Sequence, residues 1–206
     1  RIHGAAALPV RRTALTLVAL FAAASLEAPA LAHAVHGHAG DMAAGFLHPI
    51  TGLDHLVAMV AVGLWGAVLG PPALWVLPVA FPLLMAFGGL LAMVGFTIPG
   101  VEVGVAGSAL VLGLLVMVEL RLPLPLAAVI TGSFAILHGY AHGAELPASA
   151  DALQFSLAFV IATGLLHLVG ILLGALRRWP NGRLFVRGAG AAVALVGVVF
   201  LERALR

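Results

Sequence analysis

The sequence predicts an all-α, polytopic membrane protein with six transmembrane helices after an N-terminal signal peptide. Three observations carry this expectation. Of 206 residues, 63% are hydrophobic and only 9% charged, against about 25% charged in soluble domains. Mean hydropathy is +1.16. Six long apolar segments are separated by short breaks rich in Pro and Gly, the usual punctuation between elements. Such a composition excludes a soluble enzyme, a nucleic-acid-binding domain and a disordered chain. At about 20 residues per span, the length leaves no room for a second, soluble domain.

Residues 11–33 combine Arg11-Arg12, a short apolar run from Ala14 to Ser25 and the small-x-small site Ala30-Leu31-Ala32. This pattern reads as a secretory signal peptide cleaved after Ala32, which assigns residues 1–32 to it. Residues 33–45 form an extracytoplasmic His-rich tail with His33, His36, His38 and Asp41, a candidate metal collector. The transmembrane domain takes residues 46–206. Its apolar segments lie near 46–69, 73–96, 102–119, 123–143, 152–176 and 184–203. The breaks between them hold Gly70-Pro71-Pro72, Pro99-Gly100, Arg121-Leu122-Pro123, Pro147 and Pro180-Asn181-Gly182. Apolar windows of this length without strict alternation are helices rather than barrel strands. GxxxG pairs at Gly66/Gly70, Gly100/Gly104, Gly139/Gly143 and Gly170/Gly174 support close helix packing.

The formal charge is +2, and every basic residue is Arg. Arg1, Arg11 and Arg12 precede the first apolar run, and from His33 onward Arg and acidic residues balance. The basic excess therefore belongs mainly to the targeting segment and implies no nucleic-acid partner. Arg121, Arg177, Arg178, Arg183 and Arg187 flank the breaks after the third and fifth segments, whereas Glu102, Glu145 and Asp151 mark the opposite breaks. The positive-inside rule then puts the Arg end in the cytoplasm and the mature N-terminus outside. Arg203 and Arg206 at the C-terminus are the exception. The chain has no Cys, which excludes disulfides and thiolate metal sites.

Ionisable residues inside membrane segments are costly and functional by default. Two dense clusters stand out. One is His48-Pro-Ile-Thr-Gly52-Leu-Asp54-His55 with Met59, and the other is His138-Gly-Tyr-Ala-His142-Gly-Ala-Glu145. The topology brings both to the outer face, though not necessarily into contact. His138 and His142 are four apart, so their rings share one helix face, and Glu145 continues that stripe. His48 and His55 share a face if the helix runs unbroken through Pro49 and Gly52, and Met59 lies one turn deeper. On that geometry His55 lies about 13 Å along the span. Pro49 and Gly52 equally offer a break that frees carbonyls for an ion. Asp54 is a ligand or an acceptor that orients a histidine. Imidazole with carboxylate suits Ni, Co, Zn or Cu(II). Scarce carboxylates argue against Ca and Mg.

The motif His48-Pro-x-x-Gly52-x-Asp54-His55-x-x-x-Met59, followed by His138-Gly-x-x-His142-Gly, resembles the HupE/UreJ family of bacterial nickel/cobalt permeases. The signal and six following helices fit the same family, so the resemblance covers nearly the whole chain. It implies uptake of Ni²⁺ or Co²⁺ across the bacterial inner membrane by a secondary permease or facilitator. By the family motif His48, Asp54, His55, His138 and His142 are essential, and Glu145, Met59, His36 and His38 complete the candidate metal ligands. The ion is substrate; no prosthetic group is expected. The expected partners are the lipid bilayer and the ion. A second copy of the chain and metallochaperones of hydrogenase or urease stay open.

Rival readings have weaker support. An intramembrane metalloprotease needs His-Glu-x-x-His, and Gly139 stands where the Glu would be. The alternative kept is an intramembrane zinc-dependent hydrolase built on the histidines, Asp54 and Ser133. No Walker A pattern is present. Glu119 is expected to pair with Arg121 or to mark an exit. His167 is either a satisfied interior histidine or a deeper station on an ion path.

Overall fold

The computed structural model describes residues 38–146 and 151–206, and these form seven helices and no strand. The predicted signal peptide, His33 and His36 lie outside the described residues. Helix α1 spans His38–Thr51, α2 Leu53–Leu69, α3 Ala73–Met93, α4 Val101–Met117 and α5 Leu124–Glu145. Helix α6 spans Ala152–Ala175 and continues as a 3₁₀ turn over Leu176–Arg178; α7 spans Gly182–Ala204. Helix is thus found at all six predicted segments. Helices α3, α5, α6 with its extension, and α7 are long and apolar enough to cross a membrane. The α1–α2 pair makes a fifth if its bent halves count as one, and α4 is shorter at 17 residues.

One sequence expectation needs correction, and one open alternative is decided. Helix begins at His38, so about two turns of α1 occupy positions assigned to the tail. Over 46–69 the break offered by Pro49 and Gly52, not the unbroken helix, is found: the chain bends by 74° between α1 and α2. Pro49 lacks the N–H a helix interior needs. Gly52, weak in helix for entropic reasons, leaves the helical conformation at ψ 104°. The depth and shared-face arguments built on a straight helix fall with it.

Helix α2 is the hub. Eleven of its 17 residues are buried, which requires neighbours on every side; α3, α4, α6 and α7 supply them, and α1 meets its N-terminal end. The outer surface is apolar, with Trp75, Leu83, Leu165, Leu172 and Leu195 exposed, as a lipid-facing shell requires. Glycines let backbones touch. A Cβ on Gly139 or Gly143 would overlap Met85 or Gly89 of α3, and one on Gly170 would overlap Val60 of α2. Two GxxxG pairs therefore mark packing seams. In the other two, Gly70 and Gly100 have positive φ with open space around them and act as turn residues.

The arginines gather at one end. Arg121, Arg177, Arg178, Arg183 and Arg187 line a cavity of about 440 Å³ around Glu119. Glu119 does not pair with Arg121: its carboxylate accepts from Arg177 Nε at 2.9 Å and Arg183 Nη2 at 2.6 Å. The left-handed backbone of Glu119, at φ 52°, turns the chain at this point, and its acceptors meet the junction between α6 and α7 rather than a sequence neighbour. Burial favours the neutral carboxyl, but hydrogen bonds and charge from Arg183 and Arg177 outweigh it and hold Glu119 below the ordinary carboxylate range. Arg177 Nη1 also donates to the Val68 carbonyl at the C-terminal end of α2. The histidines sit at the other end of α2, about 20 Å away along its axis.

Candidate metal centre

Each helix delivers its histidines for a local reason. The bend at Gly52 turns His48 of α1 back over the start of α2, where His55 lies in the first turn. The i, i+4 spacing puts His138 and His142 on one face of α5, and the Gly139/Gly143 seam presses α5 against α3. Asp151 caps α6 by accepting from the Leu153 and Gln154 N–H groups at 3.1 Å. Its own N–H donates to Asp41 Oδ2 at 2.9 Å, tying α1 to the start of α6.

The two sequence clusters meet. His142 bridges them through both ring nitrogens: Nδ1 lies 3.0 Å from His48 Nε2, and Nε2 lies 3.0 Å from His55 Nδ1. His138 Nδ1 is 3.2 Å from the same His55 nitrogen. The donor atoms of His55, His138 and His142 lie within 4.8 Å of one another, as do those of His48, His142 and Glu145. His142 belongs to both groups. The groups are graded in depth: Glu145 is exposed, His48 and His142 half-buried, His55 and His138 buried.

Proton counting shows what the inner group favours. Ser108 of α4 donates its one proton to the Val105 carbonyl at 2.6 Å. At its 2.8 Å contact with His138 Nε2 the hydroxyl oxygen must therefore accept, so Nε2 carries the hydrogen. The Nδ1 lone pair of neutral His138 is left facing His55. Three ring nitrogens converge there, and a single proton is all they can share. His55 Nε2 is buried with no partner at all. A cation satisfies converging lone pairs where one proton does not. With metal–nitrogen bonds of about 2.0–2.1 Å, adjacent ligand nitrogens stand about 2.9–3.4 Å apart; the spacings here are 3.0 and 3.2 Å.

The remaining candidates are placed as follows. Asp54 is half-buried in the first turn of α2, beside His55 but in neither three-residue group. Met59 is fully buried in the apolar core. His38 opens α1. Ser133 donates to the Val129 carbonyl and faces outward, so the hydroxyl that the hydrolase reading enlists is not at the cluster. Ser108 is at the cluster, but it is fully buried and its proton is committed to a carbonyl.

Two contributors lie outside the metal site that the sequence predicts. Ser108 orients His138, and its signal was a lone hydroxyl in an otherwise apolar helix. Phe159 of α6 packs its ring against His48, His55 and His142 with centroids 4.8–6.0 Å apart, walling the group from lipid. Only the packing of α6 reveals that role. Beside it, a cavity of about 320 Å³ between α3, α5 and α6 reaches His142.

Comparison with known proteins agrees with the motifs. The family model for HupE / UreJ protein matches residues 15–200. The curated Protein HupE of Rhizobium leguminosarum bv. viciae is 45% identical over 179 residues, covering 86% of this chain and 94% of that protein. No solved structure matches the chain. With a family match over most of its length and a close relative nearly end to end, the chain belongs to the HupE/UreJ family.

Proposed function

We propose that this protein is a permease that passes Ni²⁺ or Co²⁺ inward across the bacterial inner membrane, with α4 as the sixth span. The observation that carries the reading is the shared His142. A resident metal site needs one closed ligand set. Two overlapping sets, stepping from exposed Glu145 to buried His55 and His138, make a route. His33 and His36 lie ahead of α1 in sequence and His38 opens it; together they collect the hydrated ion. Glu145, His48 and His142 receive it and replace part of its water. His142 then serves both sets, and the ion moves to His55 and His138. Asp54, adjacent to His55, contributes the negative charge that a divalent cation needs at that depth, and Met59 lies one turn further in.

Direction follows from charge. The five arginines at the far end belong in the cytoplasm, so the histidine end faces the periplasm and the route runs inward. Proton and metal compete for imidazole and carboxylate, so uptake weakens at acid external pH.

The test is uptake of Ni²⁺, Co²⁺ and Zn²⁺ into proteoliposomes, wild type beside His55→Ala. Entry of Ni²⁺ or Co²⁺ that collapses in the variant supports the reading. Metal binding with no uptake of any ion, or uptake indifferent to the substitution, contradicts it.

A further inference from the structure

The histidine route does not end at His138. Farther along α6, His167 is 1% exposed and Thr163 is fully buried. Neither ring nitrogen of His167 and not the Thr163 hydroxyl has a hydrogen-bond partner. Buried polar groups left unmade cost about 1–3 kcal/mol each, and native structures keep few of them.

The Thr163 hydroxyl is unusual among its kind. A hydroxyl on an apolar helix normally returns its proton to the carbonyl one turn back. Thr131, Ser133 and Ser108 all do so here, and Thr163 does not. Thr163 and His167 are four apart, on the same face of α6 as Phe159, which touches the outer histidines.

Helix α3 offers a backbone carbonyl opposite His167. Pro82 lacks the N–H that would bond the Pro78 carbonyl within the helix. Having no N–H of its own, Pro78 can meet the His167 ring only through that carbonyl. Phe81 stands between the two levels, its ring centroid 6.2 Å from His138 and 5.4 Å from His167.

We propose that Thr163 and His167, with the Pro78 carbonyl opposite, form a second and deeper station for the transported divalent cation, separated from the outer histidines by Phe81. The proposal rests on the permease reading and extends it inward. The chemistry is graded for passage. The outer station offers three imidazoles, and the inner one offers one imidazole and two neutral oxygens. A conducting site must bind well enough to admit an ion and weakly enough to release it, and the weaker set lies on the exit side.

The experiment uses the full chain and Co²⁺, whose visible absorption reports its ligands. Thr163→Val keeps the side-chain shape and removes the hydroxyl; His167→Ala removes the imidazole. Both are expected to bind Co²⁺ at the outer histidines as wild type does, while uptake into proteoliposomes falls by about tenfold or more. In detergent, His142→Ala, which breaks both outer sets, is expected to retain a Co²⁺ site that the His142→Ala/His167→Ala double variant lacks. Wild-type uptake by either single variant overturns the proposal, as does loss of outer binding by both, which would mark a packing role. If wild type itself imports nothing, the permease reading fails, and the His142→Ala pair still decides the inner site: no residual site in His142→Ala, or one unchanged in the double variant, overturns it.

Discussion

Gly139 lies between His138 and His142 where α5 crosses α3, and replacing it with Ala tests whether that crossing sets the histidine spacing. A Cβ at Gly139 would stand 2.6 Å from the Met85 carbonyl carbon and 2.8 Å from its Cα. Both atoms are backbone and cannot swing aside. Ordinary contact begins near 3.4 Å, so the helices must part by about 1 Å, an overpacking strain of about 1–3 kcal/mol. The same displacement carries His138 and His142 away from His55 and opens gaps now at 3.2 and 3.0 Å. Losing the alignment of these two ligands with the third is expected to weaken metal affinity about 10–100-fold or more, as loss of an orienting contact does. Gly164→Ala is the control, because its Cβ meets nothing within 4 Å and brings the same helix-propensity gain of up to about 1 kcal/mol. Thermal stability in detergent and Ni²⁺ affinity are measured on both. Gly139→Ala is expected to lose both properties and Gly164→Ala neither. Equal behaviour of the two variants would refute the argument from the α3–α5 crossing.

Two further outcomes follow from individual contacts. Ser108→Ala strands the His138 Nε2–H, frees the ring to change tautomer and is expected to cost about 10–100-fold in metal affinity with a smaller effect on thermal stability; unchanged affinity would contradict the proton count. Because Glu119 sits below the ordinary carboxylate range, its ion pairs contribute stability that is fully present above the unfolded value near pH 4.3 and is lost as pH falls through its lower folded value. Glu119→Gln should therefore be less stable than wild type at neutral pH and should converge with it in strong acid, read as unfolding temperature against pH.

Much of this architecture was legible in the residues, and the gaps have identifiable causes. Hydropathy located helix at all six apolar segments, because lipid forces a contiguous apolar run on each span. Pro49 and Gly52 marked a place where a helix weakens, but no local propensity sets an angle of 74°; that comes from packing α1 against α6, where a Cβ on Gly45 would overlap Phe155. The i, i+4 spacing put His138 and His142 on one face. Their meeting with His48 and His55 depends on how α5 lies across the bend, which spacing within one helix does not encode. Ser108 and Thr163 give weak signals of a site in sequence because hydroxyls on apolar helices usually satisfy themselves on the preceding turn. Sequence proximity points Glu119 to Arg121, whereas its partners lie 58 and 64 residues away.

The central claim is that two motifs distant in sequence supply one set of imidazole ligands. X-ray absorption spectroscopy on the Ni²⁺-loaded protein tests it most directly by counting those ligands in wild type and in His142→Ala. The account predicts at least two imidazoles in wild type, and fewer in the variant, since His142 belongs to both ligand sets. A wild-type ion held by oxygen alone, or an imidazole count untouched by the loss of His142, would contradict it.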